Sequence, residues 1–114
     1  MIYKPFSIVV VPFPFTDTAN VKKRPALVLS SEEHQKHTGH VTLLMVTSAK
    51  HSQWHGDHKI IDLDSTGLTA DSIVRQKVFT LDMNLIMDCI GKLSLKDKQA
   101  VIKHTHKHFK SVIL

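Results

Sequence analysis

Cysteine is almost absent from this sequence, and so are long apolar runs. Cys89 is the one cysteine, so no internal disulfide can form and the chain fits a reducing compartment. The longest apolar run is far shorter than the ~20 residues that span a bilayer. No basic-then-apolar secretory leader precedes the first apolar run, so we expect a cytoplasmic protein that is not bound to a membrane.

Internal repeats, low-complexity tracts and linkers are also missing. With 114 residues, the chain is therefore predicted to form one domain, residues 1–114, with a modest core. The formal net charge of +5, counted with neutral histidines, favours an anionic partner, either a nucleic acid or an acidic polypeptide. An acidic membrane is a poorer fit because the sequence contains no basic amphipathic helix.

The apolar segments are short and rich in β-branched residues, which is typical of strands. The predicted strands cover residues 8–11, 26–29, 41–48, 60–63, 72–79 and 86–93. Strict alternation in 41–48 should place Val41, Leu43, Met45 and Thr47 on one face. Residues 31–40 are predicted to be a polar connection, and residues 80–82 to begin a turn or a one-turn helix.

A helix is predicted at the end of the chain. Ser94 with Asp97 forms a capping-box-like start, and one apolar stripe follows, made of Leu95, Ile102, Phe109 and Ile113. Many short strands followed by one late helix predict a mainly β fold with minor α, a small barrel carrying a helix on its surface.

A basic group stands between the first two predicted strands. Pro12 and Pro14 remove backbone donors, so strand pairing must stop or move to an edge there. A polar, turn-forming loop follows and closes on Lys22, Lys23 and Arg24, and the next residue, a proline, biases Arg24 towards extended backbone. This arrangement holds positive charge at the mouth of a two-strand unit, which predicts a site for an anion.

These segments, VPFPFTD at 11–17 and KRPALVLS at 23–30, resemble the opening of the MazF/PemK family of toxin endoribonucleases. The similarity continues through residues 46–48, 72–82 and 90–94. Two departures stand out: members commonly begin the first strand with Gly-Asp, where this chain has Phe6-Ser7, and many carry a Glu-Gln, Gly-rich loop where it has residues 20–23. The resemblance implies an SH3-like barrel that forms homodimers.

The resemblance also implies two catalytic residues. Arg24 is the arginine of the family's R-P motif, and its planar guanidinium matches phosphate oxygens; the alternative is a surface arginine paired with Asp17. Thr47, beside Ser48, ends the third predicted strand, where the family places a catalytic hydroxyl that can donate to a phosphate oxygen. The alternative for this hydroxyl is an ordinary bond to the backbone.

Other residues are predicted to contact RNA: Lys22, Lys23, Ser48, Trp54, Arg75 and Lys77. The PemK-like branch of the family uses an arginine near position 75 with an acid two residues later, where this chain has Lys77. The alternative for Arg75 is a solvated side chain on an edge strand. Trp54 either stacks on an unpaired base or anchors its polar loop on the barrel. Cys89 is expected to be buried.

Nine histidines raise the question of a metal site. His104 and His108 are one helical turn apart and could bridge a metal, but no acidic residue accompanies them at the spacing of helical zinc motifs. We therefore expect no metal and no other cofactor. A histidine near Arg24 could serve as a general acid or base.

The resemblance implies the toxin of a type II toxin–antitoxin system. Such a toxin is a metal-independent endoribonuclease that cleaves single-stranded RNA, chiefly mRNA, through attack by the 2′-hydroxyl. It is neutralised by a cognate antitoxin with an acidic disordered tail, and it meets DNA only indirectly, through that antitoxin. Two alternatives remain: a CcdB-like toxin with the same barrel that binds DNA gyrase and cleaves nothing, and a degenerate family member that binds RNA without turnover.

Overall fold

The computed structural model describes residues 1–13, 22–50 and 53–112. Within these ranges, six strands form one antiparallel sheet in the order β4-β5-β3-β2-β1-β6. The strands are β1 (Ser7–Phe13), β2 (Lys22–Val28), β3 (His40–Ser48), β4 (His58–Lys59), β5 (Ser72–Asp82) and β6 (Asp88–Lys92), and the helices are α1 (Glu32–Thr38) and α2 (Leu95–His108). The curled sheet with its C-terminal helix confirms the prediction of a mainly β, SH3-like barrel.

Alternate residues of the strands enter two separate buried clusters. On β3, Leu44 and Val46 pack in the cluster that contains Val101 of α2, whereas Val41 and Leu43 pack in the other. This is the alternation predicted for 41–48, and it follows from the two-residue period of a strand. Burial of each such side chain contributes about 1.5–3 kcal/mol.

The strand ladders around β1 and β2 stop close to prolines. The β1–β6 ladder ends at Val10, so Pro12 is paired only with β2, at Lys23. The β2–β3 ladder ends at Ala26, next to Pro25, which has no N–H to donate. Beyond Val10, β1 is therefore paired with a described strand on one side only, as the prediction from the prolines requires.

The prediction of a polar connection at 31–40 is wrong, because these residues contain α1. Ser31 caps the helix by accepting the backbone N–H of His34 at 3.1 Å, and Gly39 ends it in the left-handed region with φ of 69°. An apolar stripe is missing since the helix buries only Gln35. The side chain of Gln35 accepts from the N–H of Tyr3 at 2.8 Å and donates to its carbonyl at 2.7 Å, which ties the N-terminal segment to α1.

Two predicted elements in the second half are also wrong. No strand forms at 60–63: the fourth strand is the two-residue β4, which ends just before it, and a 3₁₀ turn follows at Asp64–Thr66. Residues 80–82 do not begin a turn, since they continue β5 and pair with β3; the short 3₁₀ helix follows them at Met83–Leu85. The last strand is shorter than 86–93, and Cys89 on it is exposed rather than buried, because β6 lies at the edge of the sheet.

The terminal helix begins where the capping box predicted, but its buried face differs from the predicted stripe. The Ser94 hydroxyl caps α2 by accepting the N–H of Asp97. Asp97 and Val101 are fully buried, whereas Leu95 is 68% exposed, and Ile113 lies outside the described residues. Neither α1 nor α2, the helices of the described ranges, has the length and apolar character that crossing a bilayer requires.

The carboxylate of Asp97 joins α2 to β4 and the segment after it. It accepts hydrogen bonds from His58 Nε2 at 2.7 Å and from the backbone N–H groups of Ile61 at 2.9 Å and Asp62 at 3.0 Å. The Ser94 hydroxyl donates a further bond at 3.1 Å. Two N–H groups of the predicted strand 60–63 thus bind a carboxylate instead of a neighbouring strand, which explains why no strand forms there.

The hydrogen bonds also set the charge state of Asp97. Burial alone would raise its pKa, but the N–H groups of Ile61 and Asp62, followed by His58 and Ser94, stabilise the carboxylate more, so the pKa is lowered. Its charged form is therefore a part of the folded structure at neutral pH.

Asp97→Asn is expected to lower the free energy of unfolding at neutral pH and to flatten its decline in acid. Folding lowers the pKa of Asp97, so its carboxylate stabilises the protein fully at pH values above the ordinary aspartate pKa of about 3.9. This contribution is lost as the pH falls through the pKa that Asp97 has in the folded protein. Urea titrations from about pH 7 to pH 3 measure this. Asp71→Asn, which changes an exposed aspartate, is the control. If the free energy of unfolding falls equally steeply with pH in wild type and in Asp97→Asn below about pH 4, the lowered pKa assigned to Asp97 is contradicted.

Candidate active site

Arg24 lies near the start of β2 and Thr47 near the end of the neighbouring strand β3. The two strands pair Ala26 with Met45 and Leu27 with Leu44. Continuing this register by two residues, beyond the last pair, brings Arg24 opposite Thr47. Residues opposite each other on antiparallel strands share a face of the sheet. Arg24 is exposed and Thr47 is half-buried, so both can meet a ligand that lies across the ends of these strands.

Arg75 lies on the same face of the next strand. It pairs with Met45 of β3, while Ile73 pairs with Thr47. The alternative of a solvated arginine on an edge strand is wrong, because Arg75 is only 6% exposed. It sits just after the two residues of β5 that pair with β4, where a loop covers the strand.

The loop before β4 holds the Arg75 guanidinium with a carboxylate. Nε of Arg75 donates to Oδ1 of Asp57 at 3.1 Å and Nη2 donates to Oδ2 at 2.9 Å. This is the two-pronged geometry of a strong arginine–carboxylate pair. The same Oδ2 accepts the backbone N–H of Trp54 at 2.9 Å, so one carboxylate joins β5 to the start of the loop.

Asp57 is ionised in this arrangement. Burial alone would raise the pKa of its carboxyl, but the hydrogen bonds from Arg75 and from the Trp54 backbone outweigh burial and lower the pKa. Asp57 was not among the residues predicted for the site. The PemK-like pattern has an acid two residues after this arginine, where this chain has Lys77. In the structure the acid next to Arg75 comes instead from a loop 18 residues earlier, which no local spacing could have indicated.

Trp54 stands at the edge of this cluster and is 46% exposed. The ring centroid is 5.1 Å from Cζ of Arg75 and 5.9 Å from Nζ of Lys77, which are cation–π distances. The backbone of Trp54 is bonded to Asp57, yet the residue remains exposed to solvent. Both interpretations of Trp54, a loop contact and a stacking surface, thus have structural support.

The remaining predicted residues surround this group. Lys22 and Lys23 are exposed at the start of β2 and pair with Phe13 and Pro12. Ser48 is half-buried, and its hydroxyl accepts the N–H of Lys50 at 3.2 Å. Lys77 is exposed on β5. Asp17, the suggested partner of Arg24, lies outside the described residues. The structure therefore brings Arg24, Thr47 and Arg75 onto neighbouring strands, with lysines at both margins.

Two of the histidines, His58 and His104, lie next to each other at α2. His58 is bonded to Asp97, and its ring centroid lies 6.3 Å from that of His104. Burial, reinforced by the nearby His58 and Lys107, lowers the pKa of His104. Across residues 1–13, 22–50 and 53–112, no three His, Cys, Asp or Glu side chains are arranged to hold a metal ion.

Residues 4–109 match the family model for PemK-like, MazF-like toxins of type II toxin–antitoxin systems. The chain therefore belongs to this toxin family. No curated protein matches it significantly.

Solved structures with the same fold include three toxins of low sequence identity. The toxin MazF-mt6 of Mycobacterium tuberculosis is 20% identical with a TM-score of 0.72, covering 91% of this chain and 96% of that one. MazF from Deinococcus radiodurans is 15% identical with a TM-score of 0.74, covering 96% and 98%. An endoribonuclease from Mycobacterial species, solved with its cognate antitoxin, is 11% identical with a TM-score of 0.74, covering 98% of both chains.

Asp57→Ala is expected to destabilise the protein by roughly 3–5 kcal/mol, because it removes the carboxylate that binds the buried guanidinium of Arg75 through two hydrogen bonds. Asp71→Ala is the matched control, since it breaks an exposed pair with Lys59 at 3.7 Å, which should cost less than about 1 kcal/mol. Urea unfolding of both variants measures the difference. Equal, small losses would mean that Arg75 does not depend on Asp57.

Proposed function

We propose that this toxin is a metal-independent endoribonuclease that cleaves single-stranded RNA, with mRNA as its substrate class. The observation that carries the proposal is the β2–β3 register, which ends at Ala26–Met45 and, when continued by two residues, sets Arg24 opposite Thr47, in a chain that belongs to the PemK-like, MazF-like family. Structural neighbours that are named endoribonucleases share the fold and are consistent with it.

In the proposed reaction the RNA provides its own nucleophile. The 2′-hydroxyl loses its proton and attacks the adjacent phosphorus, the P–O5′ bond breaks, and the leaving 5′-oxygen takes up a proton. The products are a 2′,3′-cyclic phosphate and a 5′-hydroxyl. The protein must orient these groups and stabilise the charge that develops on the phosphate oxygens.

Arg24 and Thr47 are assigned the contacts with the reacting phosphate. The guanidinium of Arg24 stays ionised at any working pH and offers a fork of donors to the charged oxygens. In this scheme it also protonates the 5′-oxygen, whereas the hydroxyl of Thr47 donates to a non-bridging oxygen. Both side chains are accessible to a strand of RNA, being exposed and half-buried respectively.

The proposed RNA path runs along the positive margin of the site. Lys22, Lys23 and Lys77 are exposed and would neutralise phosphates, with Ser48 beside Thr47. Trp54 would stack on an unpaired base. Arg75 is bonded to Asp57, so in this proposal it adds positive charge to the path and holds the Trp54 loop in place.

The proposed partners follow from the same surface. A cognate antitoxin with an acidic, disordered segment would neutralise the toxin by covering the basic path, and the toxin would reach DNA only through that antitoxin. One fold neighbour was solved with its cognate antitoxin, which is consistent with this proposal. We place the protein in the cytoplasm, where mRNA is available.

Arg24→Ala is expected to lower the rate of RNA cleavage by about 10²–10³, the usual cost of removing one preorganised donor from developing charge. Arg24→Lys should recover little, because an ammonium cannot form the two-pronged contact. Thr47→Ala should cost less than Arg24→Ala, and Thr47→Ser should be nearly silent. Cleavage of end-labelled RNA under single-turnover conditions measures these rates, with Lys36→Ala on α1 as a control for lost surface charge.

Three outcomes of this experiment would contradict the proposal. The first is full activity of Arg24→Ala. The second is loss of cleavage in EDTA that added zinc restores, which would move the reaction to the histidines. The third is no cleavage of any RNA together with binding to DNA gyrase, which would favour the CcdB-like alternative. Binding of RNA without turnover by the wild type would favour the degenerate family member.

The wild-type protein is also expected to form a homodimer, because a small barrel with exposed apolar residues gains stability by pairing two-fold. Phe13 and Met87 are examples, 39% and 48% exposed, and Met87 lies next to β1 through its N–H bond to the Val10 carbonyl at 2.8 Å. Light scattering at micromolar concentration measures the mass, and the mass of a single chain would disprove the dimer.

A further inference from the structure

A cavity of about 310 Å³ lies between the Trp54 loop, β5 and the C-terminal half of α2. Its volume is within the roughly 300–1,000 Å³ of small-molecule sites. None of the residues assigned to the reacting phosphate lines it. The lining residues are Trp54, His55, Gln76, His104, Lys107 and His108, with Gly56 at the turn of the loop.

The wall of the cavity is built by hydrogen bonds between β5 and α2. The side chain of Gln76 is buried, and its Nε2 donates to the Thr105 hydroxyl at 3.1 Å. Its Oε1 lies 3.1 Å from Nδ1 of His108. These contacts use one of the two amide hydrogens and one of the two lone pairs of the oxygen. The amide of Gln76 is thus held in place, and one N–H and one lone pair remain for hydrogen bonds to the edge of a base.

The charges around the cavity favour an anion. Among the residues that the structure describes, no carboxylate lines the cavity, and Asp57 of the adjoining loop is bonded to Arg75. Lys107 adds a full positive charge, and Arg75 and Lys77 lie close to the Trp54 ring. The site therefore combines an aromatic surface, a fixed amide and a cation, which are the groups that recognise a nucleotide.

We propose that this cavity is a nucleotide subsite, which holds one unpaired base of an RNA strand against Trp54 with its phosphate near Lys107. The inference rests on the proposed function, because it extends the RNA path from the Arg24–Thr47 pair across β5. Trp54 is the residue that connects the two, since it contacts Arg75 on the site face and lines the cavity. An acidic peptide is the competing occupant, but a single lining lysine and a fixed amide suit it less well.

The fluorescence of Trp54 gives a direct readout, because it is the one tryptophan of the chain. The four ribonucleoside 5′-monophosphates are titrated singly into wild-type protein, with inorganic phosphate and a glutamate-rich peptide as separate probes. Free N-acetyltryptophanamide corrects for absorption by the bases. We expect saturable quenching by at least one mononucleotide and none by phosphate or peptide.

Lys107→Ala should weaken mononucleotide binding by about tenfold, the effect of losing a charge-assisted contact. Lys96→Ala is the matched control, because it removes an exposed lysine from the first turn of the same helix and should change nothing. In a second arm, 2′-O-methyl oligonucleotides of increasing length, which lack the nucleophile, are bound to wild type and Trp54→Ala. Trp54→Ala should weaken binding about 5- to 100-fold once the strand is long enough to reach the cavity.

The outcomes separate this inference from the nuclease proposal. Cleavage that depends on Arg24, without quenching by any mononucleotide, overturns the subsite alone. Saturable quenching that Lys107→Ala weakens, without any RNA cleavage, supports the nucleotide site and contradicts the nuclease. Quenching by the glutamate-rich peptide but by no nucleotide, or equal quenching in wild type and Lys107→Ala, also overturns the inference.

Discussion

The arrangement of this barrel depends on the hydrogen bonds that the buried carboxylate of Asp97 accepts. This carboxylate receives the side chain of His58 and two backbone N–H groups from residues 61 and 62, while Ser94 caps the helix on which it lies. A buried carboxylate without such donors would be costly, because charge is poorly solvated away from water. The helix, β4 and the segment after it must therefore meet in one geometry, and this geometry decides which face of α2 is turned to the sheet.

A second carboxylate, that of Asp57, uses hydrogen bonds in the same way to position residues of the proposed site. Asp57 is followed directly by His58, which is bonded to Asp97. The bond to Asp97 therefore also restricts the position of Asp57. Asp57 binds Arg75 through two hydrogen bonds and the Trp54 backbone through a third. A buried ion pair of this kind adds little net stability over an apolar pair, but it defines one arrangement of its partners. Here the partners are a strand of the site and a loop that carries an exposed aromatic ring.

The neighbouring positions of Arg24 and Thr47 have a different origin, which is strand register. Each apolar pair between β2 and β3, such as Leu27 with Leu44, would break if the strands slipped by one residue, because every side chain would change face. The buried core therefore fixes the alignment of the two strands, and with it the positions of the two polar residues, although neither of them belongs to the core. The chemistry proposed for the toxin rests on this alignment rather than on any contact between the two side chains.

The sequence by itself determined the features that depend on neighbours along the chain. The alternation of 41–48, the capping box at Ser94, the prolines at 12 and 14 and the R-P motif at Arg24 were sufficient to predict a mainly β barrel with a late helix and its toxin family. Only the tertiary structure decided the rest. Partners distant in sequence explain three features: the pairing of Asp57 with Arg75, the absence of a strand at 60–63 and the burial of Gln35. Because α1 buries this polar side chain and no apolar one, no apolar pattern indicated the helix. Hydrophobic periodicity reports which face of an element is buried, but it carries no information about which polar group from elsewhere in the chain will satisfy a buried charge or a backbone N–H.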